Sequence, residues 1–371
     1  MKNIIGAKQS PETAPNPAGR NASGDASGET GAPHSAIKFI TVDAESAGQR
    51  LDNFLFRHLK GVPKTHVYRI IRSGEVRINK GRAQAETRIE VGDVLRLPPV
   101  RISPRAEEGA APPAPAREFP VLLEDDAVLA IDKPAGVAVH GGSGVSFGVI
   151  EQLRTARPGA KFLELVHRLD RETSGILLVA KKRSALLALQ DQFRERETGK
   201  TYLALVEGNW PANKKVLDAP LAKYLLPGSD GTAGAGERRV RVVAKDHPDA
   251  MRAVTLVRVL ARLALPGDAA PLSLLAVTIK TGRTHQIRVH LASAGHAIAG
   301  DDKYGDFERQ RALQKLGLKR MFLHAWRLQF NHPASGERVA LQADLPPELR
   351  TLLPSAALDA MAQHPTPTSH D

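Results

Sequence analysis

The chain has 371 residues, 42% of them apolar, and a net charge of +12. It contains no Cys, which excludes disulfides, thiolate nucleophiles and thiolate metal sites and fits a reducing, cytoplasmic setting. The length favours two domains, and the cation excess favours a polyanionic partner, either nucleic acid or an anionic membrane surface.

The opening "MKNIIGAKQS" lacks an apolar stretch long enough for a secretion signal. No unbroken apolar run approaches the ~20 residues that span a bilayer. Residues 1–37 are rich in Gly, Ala, Pro, Ser and Asn, and their charges cancel. Such a segment buries too little apolar surface to offset its ordering entropy, so a disordered tail is expected.

Residues 38–99 read as a small domain. "QRLDNFLFRHL" repeats Leu51, Phe54, Leu55 and Leu59 at helical spacing. Pro63 breaks the chain, and "KTHVYRIIRSG" predicts a second helix ended by Gly74. "EVRIN" alternates like a short strand, and "IEVGDVLRLP" reads as two strands about a turn at Gly92-Asp93. Nine basic residues lie between Arg50 and Arg82, against two acidic ones, Asp52 and Glu75. Arg69 and Arg72 share a helix face, with Lys64 roughly on that side. With Arg50, Arg77 and Lys80 they are candidate phosphate contacts, which supply affinity without sequence information. The helix taken alone reads better as an ordinary solvated face; the flanking basic strand favours nucleic acid.

Residues 100–119 contain "SPRAEEGAAPPAPARE", the composition of an extended linker. Residues 120–352 form a large block of short apolar or alternating runs: "VLAIDKP", "LELVH", "GILLVAK", "TYLALVEG", "LLAVTIK" and "RLQFNHP". "SALLALQDQFRER" and "HQIRVHLASAG" carry helical spacing. Strands follow strands without βαβ alternation, which predicts an α+β fold with a largely antiparallel mixed sheet flanked by helices and loops. A Gly-rich insertion runs from Leu226 to Arg239, and residues 353–371 read as a second loose tail. No internal repeat is visible.

Several chemistries are missing their motifs. There is no G-x-x-x-x-G-K-[ST] phosphate loop and no G-x-S-x-G nucleophile elbow. "VHGGSG" does not match a dinucleotide fingerprint, and His285 and His290 miss the spacing of a zinc helix. No metal and no cofactor is expected. Asp170 stands out in "HRLDRETSG", flanked by Arg168 and Arg171. Opposite charges favour an ionised carboxylate, and such a group can act as a nucleophile. A structural Arg–Asp pair in a turn between strands is the competing reading. Arg283 and Arg288, in a second cluster dense in Gly, Arg and His, could reach a carboxylate or a phosphate. Tyr202 opens a strand, and its ring could stack on a base or simply fill a core.

"HRLDRETSG", "KTYLALVEG" and "TGRTHQIRVHLASAGHAIAGDDKYG" resemble the signature motifs of the RluA-type RNA pseudouridine synthases. The block "GQRLDNFL…VPKTHVYRIIRSGEVRINKGR" resembles an S4 (αL-type) RNA-binding domain. The resemblance runs from about Phe39 to about Leu352. It implies an isomerase that needs no cofactor and whose catalytic Asp is Asp170. It implies that Tyr202 packs on the target base and is a candidate for removing its C5 proton. Arg288 would pair with the carboxylate, and Arg168 could fill the space left by the extruded base. His167, Arg283 and His285 are the further candidate substrate contacts. Within the family, "DKPAGVAVHGGSGVSFGVIEQLR" and the S4 fusion are most similar to enzymes of the large ribosomal subunit. That implies 23S rRNA, free or in an assembly intermediate, as partner, and a monomer is expected. A non-catalytic RNA-binding factor and a related synthase acting on tRNA or another rRNA site are the alternatives; a pure binder would not need an acidic group facing the phosphate backbone.

Overall fold

The computed structural model describes residues 37–43, 46–59, 62–100, 114–142, 145–226, 238–264 and 271–364. Residues 1–36 of the expected tail, 101–113 of the linker and 227–237 of the Gly-rich insertion lie outside the described residues. Two compact units are present. The first holds the described residues up to Thr41, Arg50–Thr87 and the stretch from Asp93 to Val100. The second holds Val42–Gln49, Arg88–Gly92 and the described residues from 114 onward. Two short segments of the expected 38–99 domain therefore group with the larger unit.

In the first unit, β1 (Lys38–Thr41), β2 (Arg77–Ile78), β3 (Gly81–Arg82) and β4 (Val94–Leu97) form an antiparallel sheet in the order β1-β4-β2-β3. Helix α1 (Leu51–His58) buries Leu51, Phe54 and Leu55, and α2 (Lys64–Arg72) buries Val67, Ile70 and Ile71. These are the apolar stripes that the 3.6-residue period demands. Asn79 and Lys80 join β2 to β3 with φ of 49° and 69°, the backbone of a two-residue hairpin turn. The strand expected before Gly92 does not form. Instead the Gly48 amide donates to Ile89 at 2.7 Å and the Ile89 amide to Gln49 at 3.1 Å, so this segment pairs elsewhere in the second unit.

In the second unit the chain runs β5 (Val121–Glu124), β6 (Val128–Lys133), α3 (Val149–Ala156), β7 (Glu164–Leu165), β8 (Ser174–Ala180), α4 (Arg183–Glu195) and β9 (Gly199–Glu207). It continues with β10 (Val216–Asp218), β11 (Leu221–Leu225), β12 (Arg238–Val242), β13 (Val254–Leu263) and β14 (Leu272–Ile279). It ends with α5 (Gln286–Ser293), α6 (Phe307–Lys315), β15 (Leu323–Asn331), β16 (Arg338–Gln342), α7 (Pro347–Arg350) and α8 (Ser355–Ala362). The main sheet has the order β10-β13-β14-β9-β15-β8-β6-β5, with β16 on β15 and β7 on β8. Every pairing is antiparallel except a short parallel contact between β8 and β15. The expected mixed, largely antiparallel sheet is therefore present.

All seven residues of β8 are buried, which explains its unbroken apolar run. One face of β6 and β8 packs Leu129, Ile131, Leu177 and Val179 against α3; the other packs Val128, Ala130, Ile176 and Leu178 against α4. Two expectations need correction. Phe119, assigned to the linker, is buried beside α3 residues Val149, Ile150 and Leu153. The expected tail from 353 contains α8, whose Ala357 and Met361 complete the core over Leu272, Leu274 and Trp326. Short Ala-rich helices are marginal in water, and burial of this face is what holds α8.

Candidate active site

The sheet topology brings distant segments together. Ala325 of β15 pairs with Gly175 of β8 on one side and with Tyr202 of β9 on the other. Two strand spacings, ~10 Å, thus separate the backbones of Gly175 and Tyr202. Val277 of β14 pairs with Tyr202, and the chain leaves β14 through Thr281–His285 into α5. One open cleft of about 100 Å³ results, with Arg168, Asp170, Tyr202, Arg283, His285 and Arg288 in its walls.

The loop carrying Asp170 is held at both ends. The Thr173 amide donates to the Asp170 carbonyl at 3.1 Å, closing a turn. Behind it, the fully buried Lys133 ammonium donates to the carbonyls of Pro134 (2.8 Å), Val137 (2.8 Å) and Arg171 (3.1 Å). Burial pushes this ammonium down to about 7. At the entry to β8, Gly175 has φ of 110° and lies against Ala325, where a Cβ would come within 2.2 Å of the Ala325 carbonyl oxygen. The turn from Thr281 to Gln286 is fixed by the buried Gln286 amide. Its oxygen accepts from Thr281 Oγ1 (2.7 Å) and the Arg283 amide (3.1 Å), and its nitrogen donates to the Val254 carbonyl (3.0 Å).

Asp170 is 19% exposed. Its Oδ2 lies 3.7 Å from Arg288 Nη1 and 3.9 Å from His285 Nε2. Arg288 is buried in α5, and a buried guanidinium must be paired. Its nearer partner is Asp301, which takes Nε at 2.8 Å and Nη2 at 2.6 Å. Burial opposes the Arg288 charge, but the hydrogen bonds and charge of Asp301 carry the group above its ordinary value. The expected pairing of Arg288 with Asp170 is thus a looser contact than its pairing with Asp301.

His285 Nδ1 meets the Tyr304 hydroxyl at 2.8 Å. Burial holds this imidazole below its ordinary value, against the pull of Asp170, so it faces the carboxylate uncharged at neutral pH. Burial, and then the charge of Asp170, push the Tyr202 hydroxyl upward. At neutral pH it is an uncharged phenol.

His167 is not part of the cleft. Its ring stacks on Phe193 at 4.7 Å and its Nε2 accepts from the Leu178 amide at 3.1 Å, so it ties the loop to β8. Arg168 and Arg283 stand exposed at the rim. In the first unit Lys64, Arg69, Arg72 and Lys80 are exposed and Arg77 is half-buried, its Nη1 donating to the Lys80 carbonyl at 3.2 Å. Arg50 is committed to an ion pair with buried Asp52 at 2.7 Å. Lys133, Gly175, Asp301 and Tyr304 escaped the reading of residue types. Asp301 and Tyr304 do lie in "GDDKYG", the end of the third motif that carries the resemblance, but as residue types they look like a solvated charged turn.

A model of the RNA pseudouridylate synthase family matches residues 127–293, and a model of the S4 domain matches residues 49–95. The chain is 48% identical over 324 residues to a protein of Pasteurella multocida (strain Pm70) named ribosomal large subunit pseudouridine synthase C, covering 86% of this chain and 93% of that one. This chain belongs to the RNA pseudouridine synthases. The synthase is also 49% identical over 323 residues to the protein of the same name from Escherichia coli (strain K12), covering 86% and 96% of the two chains. The solved structure titled Human RNA Pseudouridylate Synthase Domain Containing 1 shares the fold, with a TM-score of 0.51 and 24% identity, covering 70% of the synthase and all of that chain. The synthase is an isomerase with an S4 domain joined to its catalytic domain, as its motifs implied. No helix among the described residues is long and apolar enough to cross a membrane.

Proposed function

We propose that this synthase isomerises uridines of 23S rRNA to pseudouridine, with Asp170 as nucleophile on a nucleotide swung out of the RNA stack. The convergence of Asp170, Tyr202 and Arg288 in one cleft carries the reading, and the large-subunit names of its relatives support the choice of RNA. In the reaction the N1–C1′ bond breaks, the uracil turns, and C5 bonds to C1′. The C5 proton passes to a base, for which Tyr202 is the candidate once its phenol has ionised, and N1 takes up a proton, so reactant and product are isomers. The glycosidic bond is out of reach within a stack, so the nucleotide must be extruded. The Tyr202 ring then packs on the base while Arg288 balances the charge of the carboxylate. Arg168, at the rim, fills the gap left in the RNA.

The test is a pseudouridine map of 23S rRNA in cells lacking this gene, complemented with wild type or with Asp170→Asn. Sites should vanish, return with wild type and stay missing with the variant. An unchanged rRNA map with missing tRNA sites would move the substrate to tRNA, and both maps unchanged would sink the enzyme reading.

The S4 unit supplies affinity through α2. Val67, Ile70 and Ile71 face inward, which turns Arg69 and Arg72 outward, with Lys64 at the flank. Replacing these three by Gln should weaken RNA binding across sequences. Each lost phosphate contact flattens the slope of log affinity against log salt by about 0.7 to 0.9, so a change of roughly 2 to 3 is expected. Affinities measured between 50 and 200 mM salt decide this; an unchanged slope would mean that α2 does not hold RNA.

A further inference from the structure

Asp301 is fully buried and has two sets of donors. Arg288 gives it Nε at 2.8 Å and Nη2 at 2.6 Å, and the backbone amides of Lys303 (2.9 Å) and Tyr304 (3.2 Å) donate to its Oδ1. The amides lock the carboxylate, and the carboxylate locks one edge of the guanidinium. The Arg288 plane is further confined by the Tyr304 ring, 5.2 Å from the guanidinium carbon. The nitrogen nearest Asp170 is Nη1, 3.7 Å from Oδ2, while Nη2 also lies 3.5 Å from Oδ1 of exposed Asp302.

A guanidinium closes readily on a carboxylate with two parallel hydrogen bonds. If Arg288 did this to Asp170, both carboxylate oxygens would carry a charge-assisted hydrogen bond and both would be weakened as nucleophiles. We propose that Asp301 is a positioning residue: by occupying Nε and Nη2 of Arg288 it withholds the fork from Asp170 and presents a single donor, leaving one oxygen of Asp170 to react. This rests on the reading of Asp170 as nucleophile.

The experiment is single-turnover pseudouridine formation by full-length enzyme at saturating rRNA fragment, comparing wild type, Asp301→Asn and Asp170→Asn. For Asp301→Asn the rate constant should fall about 10²-fold, the size expected when a reacting group is misplaced by ~1 Å. RNA affinity should stay within about twofold. A merely structural role would lower the amplitude, through fewer active molecules, and leave the rate constant alone; that result overturns the proposal. Turnover by Asp170→Asn would instead remove the nucleophile reading beneath it. If Asp301→Asn does not fold, a crystal structure of the wild-type enzyme with bound rRNA fragment decides. Nε and Nη2 of Arg288 must stay on Asp301, and a fork moved onto Asp170 overturns the proposal.

Discussion

Asp170→Asn should keep its RNA and lose its chemistry. The side chain keeps its shape and loses its charge, so an attacking oxygen is replaced by a far weaker one. A loss on the order of 10³-fold or more in single-turnover rate is expected, as for other covalent nucleophiles. The fold should be nearly indifferent. Removing one partner of a buried ion pair is usually costly because the other charge is left uncompensated. Here Arg288 retains Asp301, to which it makes its two short hydrogen bonds, while its contact with Asp170 is 3.7 Å long. The melting temperature should therefore move little, and the dissociation constant for an rRNA fragment should stay within a few fold. Near-wild-type turnover would dismiss Asp170 as the nucleophile. Loss of RNA binding together with turnover would mean that its role is structural.

Gly175→Ala should damage both stability and activity. The residue has φ of 110°, and its missing Cβ is the space occupied by Ala325, whose oxygen, nitrogen and carbonyl carbon would lie at 2.2, 2.7 and 2.8 Å. All three are backbone atoms of the neighbouring strand and cannot swing aside as a side chain would. The strained backbone costs of order 1 to 3 kcal/mol, and the forced shift of packed strands roughly as much again. A total of about 3 kcal/mol or more is a large share of the 5 to 15 kcal/mol that holds a typical domain. The shift would also separate the Asp170 loop from Tyr202, since both are registered through Ala325. Gly136 is the control. It too has positive φ, 81°, but a Cβ there would meet nothing within 4 Å. Gly136→Ala should cost only about 1 to 2 kcal/mol. Urea denaturation of the two variants separates strain from collision; equal costs would mean that the Gly175 contact relaxes freely.

Much of this architecture is legible in residue patterns. β8 reads as a strand because burial on both faces requires an unbroken apolar run. The helices of the small unit read from the period of Leu51, Phe54 and Leu55 and of Val67, Ile70 and Ile71. β13 does not read. It mixes Arg258 and Arg262 into its apolar residues, and its register slips between Val259 and Ala261, so no period of two survives. α8 looks like tail because "SAALDAMA" has few large apolar residues, and what makes it a helix is the core it covers.

At the site, the motifs located Asp170, Tyr202, Arg283, His285 and Arg288, and the cleft contains them all. His167 lies beside them in the chain, yet it stacks on Phe193. By itself the sequence determined which chemical groups are available, a carboxylate, a phenol, guanidiniums and a basic helix, and the periods of the elements that carry them. The tertiary structure alone decided the pairing: that Asp301 takes two nitrogens of Arg288, that Lys133 spends its ammonium on three carbonyls, and that Ala325 spaces Gly175 from Tyr202. Pairing depends on distances of a few ångströms and on which charges lose their water. Both are set where residues far apart in the chain meet, and no local pattern encodes that meeting.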